Sequence, residues 1–199
     1  MSANLRGLFL LAAGTLTGSF SFGQSIAVGA IGGTRVTDDL AGEAATSVSG
    51  RYVVGPELDI GLPFGLGIEV DALYRRLGYR LAGFFGNTPP EHANSWEFPM
   101  LIKCRLPFHA IKPFVETGYA PRVIYAPANY SSNAIIPASH GFVIGGGVQF
   151  GIGRLTLVPA VRYTVWSNAP VVVYFGNGPE SQSSQNQVDI LLGISWKLH

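Results

Sequence analysis

Apolar and polar residues alternate with a period of two along most of this chain. The stretch "QVDILLGISWKLH" (187–199) shows the pattern most plainly. Val188, Ile190, Leu192, Ile194, Trp196 and Leu198 fall on one parity, and Leu191 alone breaks the other. A two-residue period is that of an extended strand with one apolar face. Eight such segments follow one another: 25–37, 50–60, 66–80, 95–106, 113–124, 141–152, 155–165 and 187–198. Each is about as long as the 9–11 residues that a tilted strand needs to cross a bilayer.

The connections alternate in length. "GLPFG", "PFHAIK" and "GIGR" are short and rich in glycine or proline, as hairpin turns are. The others are long: "DDLAGEAATSVS", "LAGFFGNTPPEHAN", "YAPANYSSNAIIPASH" and "SNAPVVVYFGNGPESQSSQN". Short turns at one end and long loops at the other predict an all-β, eight-stranded, antiparallel up-and-down transmembrane barrel. Its short turns would be periplasmic and its long loops extracellular.

Which face meets lipid follows from charge. One parity carries Tyr52, Val54, Leu58, Ile68, Val70, Met100, Ile102, Val115, Phe142, Ile144 and their neighbours. The other carries Arg51, Glu57, Asp59, Glu69, Asp71, Arg75, Glu97, Lys103, Arg105, Glu116, Arg122, Arg162, Asp189 and Lys197, seven basic and seven acidic. An interior narrow enough to be filled by side chains requires such balance, because an unpaired buried charge costs several kcal/mol. These fourteen residues are expected to form an ion-pair network in the lumen. A soluble lipocalin-like carrier would have the opposite polarity, an apolar lumen and a charged exterior.

Composition agrees with a membrane barrel. The chain has 199 residues and a mean hydropathy of +0.28, and charged residues are only 13% of it. Beyond the N-terminus there is no apolar run of 18 residues, so spanning helices are not expected. The formal charge of +1 gives no reason to expect nucleic acid as a partner. Residues 1–23 place Arg6 before a mainly apolar stretch, with small Ser21 and Gly23 preceding Gln24, the layout of a secretory signal peptide. The barrel domain is then 24–199.

Signal peptide, eight amphipathic strands, three short turns and four long loops together resemble the small outer-membrane β-barrels of the OmpA/OmpX type. The resemblance implies the outer membrane of a Gram-negative cell, contact with outer-membrane lipid, and insertion by the barrel assembly machinery, which reads the closing strand. In that family the strand ends in an aromatic residue; here Leu198 takes its place and His199 follows. Aromatics near strand ends, Tyr52, Trp96, Tyr119, Phe150, Tyr163, Trp166 and Trp196, would form the interfacial girdles.

Candidate chemistry is sparse. Cys104 is the single cysteine and no Cys/His metal spacing exists. "IGGGVQFGIG" lacks both phosphate-loop spacings, so no cofactor is expected. No catalytic residue and no metal ligand is assigned, and the expected function is non-enzymatic: an envelope or surface-interaction role through the outer loops, without an open pore. The alternative is a lipid-modifying enzyme, since some eight-stranded outer-membrane barrels are enzymes. None of the histidines is followed two residues later by serine; His92 with Ser95 and Glu91, or His140, would be the groups to test.

Two finer expectations concern particular segments. A tight turn near Pro63 sets Asp59 opposite Glu69 and Glu57 opposite Asp71, with Lys103 and Arg105 compensating and Lys197 near them. A structural ion-pair network is the first reading of these carboxylates, and a bound cation the second. The apolar loop stretches "PVVVYFG" (170–176), "GFFG" (83–86) and "AII" (134–136) are either strand extensions packed on one another or a surface for an extracellular partner.

Overall fold

A computed structural model describes residues 25–37, 40–42, 45–83, 86–87, 91–108, 111–125, 140–167, 172–175, 178–183 and 186–198. The expected signal peptide at 1–23 and the loop stretch 134–136 lie outside the described residues.

The eight period-two segments become eight barrel strands. They are β1 (Ser25–Arg35), β2 (Tyr52–Gly61), β3 (Leu66–Asp71 continued by Leu73–Gly83), β4 (Glu91–Glu97 continued by Met100–Arg105), β5 (Ile111–Tyr125), β6 (His140–Ile152), β7 (Leu155–Ser167) and β8 (Asn186–Lys197). Each strand pairs antiparallel with its sequence neighbours. β8 returns to β1, setting Val28 against Trp196 and Arg35 against Asp189, and so closes the barrel. Closure leaves no strand edge, the condition for a sheet to sit in lipid.

The interruptions in β3 and β4 fall where prolines sit. Pro56, Pro99 and Pro121 have no N–H to give the ladder. Their carbonyls still serve it. The Ala72 amide donates to Pro56 (3.1 Å), the Asp71 amide to Pro99 (3.0 Å) and the Phe98 amide to Pro121 (2.9 Å). Alternation continues across both gaps, since Asp71 and Leu73 are buried, as are Glu97 and Pro99.

The turn after β2 is tighter than its glycine and proline alone suggest. Phe64 adopts φ 63° and Gly65 φ 79°, two successive left-handed residues. Glycine does so at no steric cost, whereas Phe64 does so against its Cβ. Its ring is 98% exposed.

The side chains sort by parity. Ile102, Val115, Ile144, Val161, Ile190, Leu192 and Ile194 face outward, each between 46% and 64% exposed. The interior holds charged groups, but it is not uniformly polar. Ile31, Val53, Leu73 and Leu191 form one buried apolar cluster. Leu101, Ala120, Val143 and Trp166 form a second, and Phe114, Val158 and Ala160 a third. Leu191, which breaks the alternation of the last strand, is thus a lumen-packing residue, 2% exposed.

Beyond the long-loop end, part of the connecting chain is also strand. Val172–Phe175 pairs with Gly178–Ser183, which pairs in turn with Leu40–Gly42. Gly83 pairs with Gly86 in a short hairpin. At backbone level, two of the three apolar loop stretches therefore contain paired strand.

Candidate functional site: the barrel lumen

The interior is crossed by two ion-pair clusters, one towards each end. Near the short turns, antiparallel pairing of β2 with β3 sets Glu57 opposite Asp71 and Asp59 opposite Glu69, the register expected from the turn. Lys103 enters from β4, contacts Glu69 and lies 3.6 Å from both Asp59 and Glu116. Its ammonium also stands 4.6 Å from the centroid of the Phe114 ring, within cation–π range. Arg105 Nη2 donates to Asp59 at 2.5 Å, and its Nε to Gln149 at 3.0 Å. Arg162 reaches in from β7. Its Nε donates to Glu116 (2.7 Å), its Nη1 to Asp71 (2.6 Å) and its Nη2 to Glu69. One guanidinium thereby joins carboxylates from β3 and β5, across the barrel. The planar fork of five donors suits arginine to this task.

Towards the long loops, Arg35 Nε donates to Asp189 at 2.7 Å, and its Nη2 to Glu97 at 3.3 Å. Arg122 donates to Glu97 at 2.7 Å and to Gln187 at 2.8 Å. Its guanidinium carbon lies 3.4 Å from the centroid of the Trp166 ring, and the Trp166 indole N–H donates to Gln187 at 2.5 Å. Arg75 Nε donates to the Gly50 carbonyl at 3.0 Å.

Thirteen of the fourteen residues expected in the lumen are buried or half-buried. Arg51 differs: it is exposed and precedes the first residue of β2, so strand parity does not govern it. Its place in the charge count is taken by Arg35, 1% exposed, which sequence reasoning missed. The signal was available, because Ala27, Gly29, Ile31 and Gly33 share its parity on β1. Glu57 and Lys197 stand in none of the ion pairs given above.

Trp166 is a second correction. It belongs inside, 3% exposed, not in a girdle. Its parity is that of Arg162 and Thr164, and proximity to the strand end misled the assignment. Tyr52, Tyr119, Tyr163 and Trp196 face outward and are exposed, while Trp96 and Phe150 are half-buried. Tyr52, Tyr74, Trp96 and Phe98 form a chain of ring contacts on the outer wall, with centroids 5.4–6.5 Å apart.

The residues named for a hydrolytic alternative do not converge. His92 and Ser95 differ in parity on β4, and Ser95 faces the lumen, fully buried. His140 stacks on Tyr119 at 6.0 Å, and its neighbour Ser139 lies outside the described residues. Among the described residues, Glu57, Asp59 and Glu69 bring three carboxylate oxygens within 4.8 Å of one another. A cavity of about 580 Å³ opens at the short-turn end, lined by Asp59, Arg105, Lys112, Gln149, Lys197 and the exposed Phe64, among others.

Closed eight-stranded walls, an apolar outer face and a charged interior define a class of fold: the small eight-stranded barrels of the outer-membrane type. Solved structures agree at the level of fold. The chain is similar to Neisserial surface protein A, with TM-score 0.53 and 13% identity over 89% of this chain and all of that one. It is likewise similar to the outer membrane protein OprG from Pseudomonas aeruginosa, with TM-score 0.59 and 12% identity over 88% of this chain and 95% of that one. No family model matches the sequence, and no curated protein is similar to it by sequence.

Proposed function

We propose that the protein is an integral barrel of the bacterial outer membrane, that its lumen is plugged, and that it acts through its long loops without catalysing a reaction. The observation that carries this reading is the inverted distribution of polarity. Aliphatic side chains on every barrel strand face outward, while charged groups are buried inside. A soluble protein seldom leaves so continuous an apolar belt exposed, because water penalises it by about 25 cal/mol per Å². In lipid the same belt is stabilising.

Short turns on the periplasmic side and long loops outside the cell follow from the usual orientation of such barrels. Arg162, Lys103 and Arg122, each tied to carboxylates from other strands, cross the interior and support the reading of a plugged lumen. What remains for recognition is the long-loop end, where parts of the first and last long loops pair in a separate three-stranded sheet. A surface-interaction or envelope role fits that geometry.

Fractionation of the producing cells tests the assignment. The protein is expected in the outer-membrane fraction, resistant to urea extraction, with a folded band on an unheated gel that shifts on boiling. Recovery in the soluble periplasmic fraction would contradict it.

A further inference from the structure

We propose that the mouth at the short-turn end binds an amphiphilic anion, a carboxylate or phosphate head carried on a single apolar chain. The inference concerns the end opposite the long loops and does not depend on what those loops recognise.

The cavity of about 580 Å³ at that end is a vestibule of the barrel itself, since each of the eight strands contributes to its lining. Its size falls in the range of small-molecule pockets, about 300–1,000 Å³. Three bases, Arg105, Lys112 and Lys197, line it against one acid, Asp59. Asp59 is already satisfied, because both its oxygens accept from Arg105 Nη2. The other carboxylates of the lower cluster are not among the described residues of the lining. Arg154, exposed in the β6–β7 turn, adds a further positive charge at this end, and its carbonyl accepts from the Lys197 amide at 2.9 Å. Such a field draws anions to the mouth.

The charges left uncommitted in this lining can only donate. Among the described residues, neither Lys112 nor Lys197 meets a hydrogen-bond or ion-pair partner for its ammonium. Gln149 Oε1 accepts from Arg105 at 3.0 Å, which leaves its amide nitrogen to donate. Lys112 and Gln149 are directly opposed across the β5–β6 ladder, and Ser195 stands two residues before Lys197 on β8. An ammonium has three donors and no acceptor, so this set fits a ligand that accepts, as an ionised carboxylate or phosphate does. The rest of the rim is apolar: Leu62, Phe64, Leu66, Leu106 and Pro107. Phe64 is 98% exposed and holds φ at 63°. Non-glycine residues held in this region cluster at ligand clamps. An apolar chain laid along this side of the mouth removes from water a ring that the turn leaves bare.

The test uses the protein in nanodiscs of zwitterionic lipid, titrated calorimetrically with empty discs as reference. Octanoate or octyl phosphate is expected to bind at one site per chain. Whichever binds more tightly identifies the head group, and with it a fatty acid or a lysophospholipid as the source. Acetate and inorganic phosphate should bind at least tenfold more weakly, and octylammonium should show no saturable binding. The double variant Lys112→Ala, Lys197→Ala, checked for its folded gel band, should lower affinity at least tenfold, whereas Lys197→Arg should keep it within threefold. If the double variant gives no folded band, Lys112→Gln, at an exposed position, takes its place with at least a threefold loss expected. Phe64→Ser should weaken octanoate at least threefold. A folded wild-type barrel that binds neither octyl anion, or binds octylammonium as tightly, would overturn the proposal. So would inorganic phosphate that binds as tightly as octyl phosphate, or affinity that the folded lysine variant leaves unchanged.

Discussion

Trp166 and Trp196 sit on neighbouring strands, yet the first is 3% exposed and the second 49%. Parity separates them: Trp166 shares the face of Arg162, and Trp196 that of Ile194. Residue type near a strand end was a poorer guide than the two-residue period itself. The same period located most of the buried charges and failed at Arg51, where no strand exists to carry it. It gave no hint of Arg162 as the residue that joins the carboxylate ladder to Glu116, because that contact crosses the lumen. Sequence spacing reports neighbours along a strand or across a hairpin, and contacts across a closed barrel depend on the closure. Two substitutions rank the bases of this cluster. Arg162→Ala leaves Glu69, Asp71 and Glu116 short of a partner and is expected to cost about 3–5 kcal/mol. Arg105→Ala, at the partly wetted mouth, should cost less. Urea unfolding of the purified variants measures both.

Element boundaries were legible to within a few residues, since turn chemistry and periodicity agreed at each short turn. The gaps at Ala72 and at 98–99 were not placed in advance, although the prolines were in view, because a missing donor acts on the strand beside it. Glycines fix how closely strands approach. A Cβ added at Gly33 on β1 would lie 2.0 Å from the Ile190 carbonyl oxygen on β8. Backbone cannot yield there without opening the seam that closes the barrel. Gly33→Val is therefore expected to abolish the heat-shifted folded band, whereas Gly32→Ala, on the outward parity with 3.7 Å to its nearest neighbour, should retain it.

For the molecule as a whole, closure explains why alternation persists through "VDILLGISWKL" (188–198). β8 hydrogen-bonds to β7 and β1 along its length, leaving no edge to fray into lipid. Leu191 serves the interior of the same closure. Seven basic and seven acidic groups still line the described interior once Arg35 replaces Arg51, so the balance read from sequence survives a change in its membership. With ten of those groups and Arg35 tied into ion pairs inside the lumen, planar bilayers holding the protein should show no conductance above background. A stable single-channel step would refute the plugged interior.

The inside-out arrangement can be read from the three tryptophans. Single-tryptophan variants retaining Trp96, Trp166 or Trp196 would be reconstituted in bilayers of brominated lipid, and their fluorescence quenching compared with that in unbrominated lipid. Strong quenching of Trp96 and Trp196, with Trp166 spared, is the predicted result. Quenching of Trp166 to the same extent, or of none of the three, would contradict a barrel with its charges inside and its apolar face in lipid.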